Sequence, residues 1–299
     1  MQACTISTRS HWFKCLALHE GLAEQGIDLH VLLMDGPIEI ASIPNGLHVM
    51  GIDKIEHELK AELLDKYRRR TNKLRWAFKP LLLLELLKRF EQVCYFDNDI
   101  DVIGNLEPVY LKLKQHSVLL TPHHYPVDPS KDQNWMEANF RVGLYNAGFI
   151  GVQKSGINAL NWWAKACLYN IKQAYWRGLF DDQKYLDLLP VIDPNAGIIH
   201  HRGCNVAAWN SLHSVIQFDE SGTGYVEKDP LVFIHYAAMS LRDFAKEGHP
   251  LQAHCRAYVS RLKKYNPDFS PSISPWDRTV WNSWLYYIRW RWARIWEKP

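Results

Sequence analysis

Closely spaced cysteines are missing from this chain. Its six, Cys4, Cys15, Cys94, Cys167, Cys204 and Cys255, lie far apart without any CxxC spacing, which argues against a zinc site or a disulfide framework and for buried free thiols. Charge of one sign is also scarce. A formal net charge of +3 over 299 residues gives no electrostatic case for a nucleic-acid partner; the excess is local, in Arg68-Arg69-Arg70 and after Arg289. No apolar run approaches a membrane span, and the strand-like start Ala3-Cys4-Thr5-Ile6 lacks the zones of a secretory signal, so a cytoplasmic protein is expected. Low-complexity tracts and internal repeats are absent too. What remains, 47% hydrophobic and 22% charged, is the profile of an ordinary globular protein: one large α/β domain over 1–265, then a linker and C-terminal extension over 266–299.

Apolar patterning gives the elements. A strand over Cys4–Ser7, a polar turn with Ser10 as a candidate N-cap, a helix with Trp12, Leu16, Leu18 and Leu22, and a strand over Leu29–Met34 form a strand-helix-strand opening. Such an opening predicts a parallel sheet whose ligand sits beyond the carboxyl ends of its strands, where Thr8 and Asp35 fall. Further on, the pattern predicts a weaker strand near Leu47–Met50, helices over Ile55–Arg69 and Lys79–Phe90 (Pro80 at the start of the second), and strands over Ser117–Thr121 and Leu144–Val152. A helix over Ile157–Ile171 carries Trp162-Trp163, read as core, and a short helix follows Phe180. Residues 198–233 alternate strand and turn signals, with Ser221-Gly222-Thr223-Gly224 as a hairpin loop. The last stretch, 276–296, holds six tryptophans interleaved with arginines; it reads as an aromatic, basic helix suited equally to membrane headgroups and to packing on the domain.

The chemistry-bearing feature is Val93–Val102, an apolar strand ending in Asp97, Asp99 and Asp101 at alternate positions. Unpaired carboxylates do not persist at such a place without a cation, a hydrogen-bond network or water, and hard oxygen ligands suit Mg²⁺ or Mn²⁺, ions that bind diphosphates. A calcium loop of the EF-hand kind is excluded, because Val102 and Pro108 stand where it needs Gly and Glu. A metal-dependent phosphohydrolase using Asp97 and Asp99 is an alternative, though the partner acid and lysine of an aspartyl nucleophile are not assignable. A solvated acidic turn is the plain structural reading.

Six segments in order sharpen this: Cys4-Thr5-Ile6-Ser7-Thr8, Phe78-Lys79-Pro80, Tyr95-Phe96-Asp97-Asn98-Asp99, Tyr145-Asn146-Ala147-Gly148-Phe149-Ile150-Gly151-Val152, Phe180-Asp181-Asp182-Gln183 and Asn205-Val206-Ala207-Ala208-Trp209-Asn210. Over roughly 3–240, the chain resembles a bacterial glycosyltransferase of the GT-A fold, similar to the glycogenin and lipopolysaccharide galactosyltransferase type. The resemblance implies a Rossmann-like mixed central sheet flanked by helices. It also implies transfer of a sugar from a nucleotide diphosphate, UDP above all, to a saccharide or lipid-linked acceptor, with Mn²⁺ or Mg²⁺. A non-catalytic sugar-nucleotide binder is the other alternative.

The resemblance also implies site residues. Asp97 and Asp99, with Asn98 between them, match its Asp-x-Asp, and His235 falls where the family supplies a third metal ligand. The family's Gly and Lys-Pro-Trp after that histidine are absent here, where the chain reads Tyr236-Ala237-Ala238-Met239, leaving Arg242 as a substitute. Thr5, Ile6 and Thr8 match the nucleotide-reading loop, and Lys79 the basic residue on the donor side, though beside a helix-starting Pro80 it reads equally as a solvated first-turn residue. Asn146, whose segment could also be a plain β-bulge, would meet sugar hydroxyls; Asp182, also a routine helix N-cap, would orient them; and Gln183 would lie under the anomeric carbon. Because an amide is a weak nucleophile, front-face attack with retention follows more naturally than a covalent intermediate. Asn205, Trp209 and Asn210 offer amide and aromatic groups for a pyranose, and His200-His201-Arg202 could meet phosphates.

Overall fold

The computed structural model describes residues 1–36 and 43–271; the helix expected over 276–296 lies outside them. In chain order the elements are β1 (Gln2–Ser7), α1 (Trp12–Ala23), β2 (Asp28–Leu33), β3 (Leu47–Gly51), α2 (Lys60–Tyr67), α3 (Thr71–Ala77), α4 (Lys79–Leu87), β4 (Gln92–Phe96), β5 (Ile100–Val102), α5 (Glu107–Leu113), β6 (Val118–Pro122), α6 (Gln133–Arg141), β7 (Tyr145–Gln153) and α7 (Ile157–Tyr169). They continue with α8 (Leu189–Ile192), β8 (Gly197–Ile198), α9 (Ala208–Ser211), β9 (Ile216–Phe218), β10 (Gly224–Val226), β11 (Asp229–Pro230), β12 (Phe233–His235), α10 (Ala238–Phe244) and α11 (Gln252–Tyr265).

Seven strands make the central sheet in the order β3-β2-β1-β4-β7-β6-β8. The first four run parallel, β7 runs antiparallel between β4 and β6, and β8 is parallel to β6. Side chains alternate between two cores. Ile6, Tyr95 and Ile150 pack with Leu82, Leu86, Leu160 and Trp163 on one face, while Phe96, Phe149 and Val31 pack with Leu18, Leu22, Val109 and Phe233 on the other. One topological consequence decides the rest. The carboxyl ends of β1, β4, β6 and β8 and the amino end of the reversed β7 share one rim, with β4 at the centre of the sheet.

Several elements depart from the sequence pattern for local reasons. The expected helix from Ile55 begins only at Lys60, because the His57 Nδ1 accepts from Leu59 N at 3.1 Å and holds the preceding residues in a turn. The polar run after Arg70 hides α3. The expected single strand over Val93–Val102 breaks in two: Ile100 N donates to Asp97 O at 3.0 Å, turning the chain so that β5 leaves the main sheet and pairs with β12. Neither Ser10 nor Asp182 caps a helix with its side chain; the segment after Asp182 is a 3-10 turn over Gln183–Leu188. Of the two adjacent tryptophans, Trp163 is wholly buried and Trp162 only half so. All six cysteines are free and buried. No helix among the described residues is long and apolar enough to cross a membrane.

Candidate metal centre

Asp97 and Asp99 stand on the turn between β4 and β5, and the β5–β12 pair brings His235 opposite Ile100. Ligand atoms of Asp97, Asp99 and His235 all lie within 4.8 Å of one another. The geometry is held by main chain on every side: Asp97 N donates to Gly148 O at 2.7 Å and Tyr236 N to Asp99 O at 2.7 Å. The third acid goes elsewhere. Strand alternation turns Asp101 away, where it is buried and ion-paired with Arg261 of α11.

The donor set fits a hard divalent ion, and the imidazole is oriented for it. His235 Nδ1 lies 3.1 Å from Asn205 Oδ1, so it donates there and directs Nε2 at Asp99 Oδ1, 3.2 Å away, the nitrogen that would exchange its proton for an ion. Burial works to raise the Asp99 carboxyl, but the charge of His235 and its hydrogen bond outweigh that and hold it well below the usual carboxylate range. Asn205 adopts φ +60°, a left-handed conformation an asparagine tolerates. At Gly148 a Cβ would come within 2.7 Å of His235 Nδ1 and 2.6 Å of Asn146 Oδ1, so it is His235 itself that the small residue admits.

Beneath the carboxylates sits Lys79. It is 3% exposed, not a solvated first-turn residue, and lies 3.2 Å from Asp97 Oδ1, 3.4 Å from Asp182 Oδ2 and 2.9 Å from Ala147 O. Burial would lower its ammonium, yet Asp182 and Asp97 more than offset this and the pKa is raised. Asp182 is pushed up to about 6, by burial first, with Lys79 opposing and Asp97 adding to the rise. Its Oδ2 makes the ion pair but no hydrogen bond. Tyr95 Oη donates to Asp97 Oδ1 at 2.7 Å; sequence reasoning passed over it, although its place two residues before Asp97 puts both on one strand face.

An amide relay borders this centre. Asn146 Oδ1 accepts from Gly148 N at 2.9 Å, and its Nδ2 lies 3.1 Å from His123 Nε2 and 3.5 Å from Gln183 Oε1. His123 is pushed down to about 3, chiefly by burial, so the neutral ring donates through Nδ1 to Gly143 O and accepts at Nε2. The edge of Trp209 meets both His235 and His123, at centroid distances of 5.3 and 5.9 Å.

Other expected residues are placed differently. Thr5 and Ile6 are buried in β1, so only their main chain faces the rim, and Ile6 O accepts from Asn98 Nδ2 at 3.4 Å. Asn98 also donates to Ser7 Oγ at 3.1 Å, and Thr8 Oγ1 pairs with Ser10 Oγ and His11 Nδ1 at 3.0 Å each. The Thr8 and Asp35 loops do meet, through Arg9 N donating to Asp35 Oδ1 at 2.9 Å. Asn210 is spent on main chain, giving its Nδ2 to His123 O and Asn205 O at 3.1 and 3.0 Å. Arg242 pairs with its neighbour Asp243 at 3.4 Å. His200, His201 and Arg202 line a separate cavity of about 740 Å³ with Lys112, Glu227, Lys228 and Asp229, which includes none of the metal-centre residues.

Comparison with known proteins agrees with the architecture. No family model matches. Two Bacillus subtilis (strain 168) proteins of uncharacterized function are similar in sequence: YfnF, 27% identical over 245 residues covering 78% of this chain and 80% of its own length, and YfnD, 25% identical over 247 residues covering 79% and 77%. Among solved structures, the galactosyltransferase LgtC in complex with donor and acceptor sugar analogues superimposes with a TM-score of 0.50 at 11% identity, over 91% of this chain and 98% of that one. The apo glycosyltransferase GlyE of Streptococcus pneumoniae TIGR4 gives 0.51 at 13% identity, over 88% of this chain and 62% of GlyE. The fold is therefore the GT-A fold.

Proposed function

We propose that this protein is a divalent-cation-dependent glycosyltransferase that moves a sugar from a nucleotide diphosphate donor, a UDP-sugar, to a saccharide or lipid-linked acceptor. One observation carries the reading: Asp97, Asp99 and an oriented His235 converge within 4.8 Å at the carboxyl-end rim of a GT-A sheet, the place where this sheet architecture binds ligands. LgtC, with which the chain shares this fold, was solved with donor and acceptor sugar analogues, and another LgtC structure carries an active-site glutamine-to-glutamate change.

Asp97, Asp99 and His235 would hold Mn²⁺ or Mg²⁺, whose charge stabilises the departing diphosphate. The exposed faces of Asn98 and Thr8, with the main chain of Thr5 and Ile6, border the nucleotide. Asp182, Gln183 and Asn146 face the sugar, while Lys79 holds Asp97 and Asp182 in place. In the transfer the bond from the anomeric carbon to the diphosphate oxygen breaks and its electron pair leaves with UDP. A bond forms to the acceptor oxygen, whose proton passes to the departing phosphate. With an amide, Gln183, under the reacting carbon, retention by front-face attack is the expected outcome.

Calorimetry with UDP, GDP and p-nitrophenyl phosphate, each with and without Mn²⁺, tests the reading. UDP binding that requires Mn²⁺ and is lost in Asp99→Asn, with no phosphate released from p-nitrophenyl phosphate, is the expected result. Phosphate release without UDP binding would instead make the protein a phosphohydrolase.

A further inference from the structure

The chain just before Asp182 forms a small hairpin that nothing in the metal centre uses. Ala174 and Leu179 exchange both main-chain hydrogen bonds, at 2.9 and 3.2 Å, and the tip between them closes on Gly178 with φ +64°, a conformation that favours glycine. Ala174 is buried, yet Trp176 at the tip is 85% exposed. An indole so fully in water is unusual, and exposed apolar surface of this kind marks contact sites when it belongs to a patch. It does here. Tyr175, 38% exposed, packs on Phe180 with centroids 5.4 Å apart, and the Arg177 guanidinium lies over the Trp176 ring, 5.9 Å from its centroid.

The hairpin is also fixed to the reacting residues. Gln173 Nε2 donates to Asp181 Oδ2 at 2.8 Å, and Asp181 is held at φ +47° immediately before Asp182 and Gln183; Gln183 Nε2 in turn reaches Val142 O, just past α6, at 3.5 Å. Whatever accepts a sugar held at Asp182 and Gln183 must occupy the space next to them. A pyranose presents an apolar C–H face and a hydroxyl edge, which suits an exposed ring with the Arg177 guanidinium beside it. We propose that the Trp176 hairpin tip, with Tyr175 beside it, is the platform on which a saccharide acceptor stacks. This rests on the transferase reading above. A hairpin tip with polar flanks lacks the broad apolar face of a membrane-surface element, so a glycan is favoured over lipid as the occupant.

The test compares wild type, Trp176→Ala and Trp176→Phe on a glycan array in the presence of UDP and Mn²⁺, with calorimetric UDP binding measured on the same samples. The expected result is glycan retention that falls about tenfold in Trp176→Ala and is largely restored in Trp176→Phe, with UDP affinity equal in all three. An array pattern unchanged in Trp176→Ala, or no glycan retained by wild type that binds UDP, overturns the platform. So does Trp176-dependent sedimentation with phosphatidylcholine–phosphatidylglycerol vesicles in the absence of glycan retention. If UDP fails to bind while Trp176-dependent glycan retention persists, the donor reading fails and the platform stands.

Discussion

Lys79 shows how a single side chain acquires a meaning that its neighbours in sequence do not reveal. Next to Pro80 at a helix start it reads as a donor contact or a solvated first-turn residue, but α4 points it inward, under Asp97 and Asp182. Removing one member of a buried charge cluster strands the others. Lys79→Met is expected to lower stability by about 3–5 kcal/mol in urea denaturation near neutral pH. Lys79→Met combined with Asp182→Asn should recover much of that loss, whereas equal loss in the double variant would mean that packing and not charge is at stake. Asn205 is informative in another way. Its backbone at φ +60° suits glycine, so Asn205→Gly removes the Oδ1 that fixes the His235 tautomer without straining the chain. Titration of Mn²⁺ alone into that variant should show affinity reduced about 10- to 100-fold, the usual effect of losing such an outer partner. Unchanged affinity would place the ion away from His235.

Element by element, the strands were legible because their apolar runs are bounded by turn residues, and β1, β2, β4, β6 and β7 begin and end within two residues of the patterning, apart from the break after Phe96. The acidic strand tip was legible because burying three carboxylates at one place contradicts a core strand. The sequence does not show that Asp101 belongs to a different network, because its partner Arg261 arrives on α11, 160 residues later. Nor does it show why Gly148 is glycine. That depends on β12 crossing from the far end of the chain to lay His235 against β7. Gly148→Ala should therefore cost about 1–3 kcal/mol of stability through overpacking and, if His235 is a metal ligand as proposed, also weaken Mn²⁺ binding. Thermal denaturation and Mn²⁺ titration of the same variant check both. A loss of stability with full Mn²⁺ affinity would show that Asn146, and not His235, gives way.

At the scale of the whole molecule, two buried histidines tie the fold to pH at sites well apart along the sheet. His30 on β2 stacks on His48 at 4.6 Å with its Nε2 2.6 Å from Gln2 Oε1, and burial, then the charge of His48, push it down to about 4. His123, at the end of β6, goes down to about 3, mainly through burial. Both folded-state values lie below the unfolded value near 6.5, so the unfolded chain takes up protons first as the medium is acidified. The stability contributed by these neutral rings is fully present above about pH 6.5 and is lost as pH falls towards 4 and 3. For His30 the loss at pH 4 is on the order of 3 kcal/mol, because each tenfold difference in proton affinity between the folded and unfolded chain corresponds to about 1.4 kcal/mol. His30→Gln keeps a donor for Gln2 and removes the titration, so its urea midpoint should fall less steeply than that of wild type between about pH 7 and pH 4. The residual slope would then be shared among the other groups whose pKa the fold depresses, His123 and His124 among the histidines and Asp99 among the carboxylates. Parallel curves for the two proteins would show that His30 is solvated in the folded state, and acid sensitivity would have to be sought in the carboxylates instead.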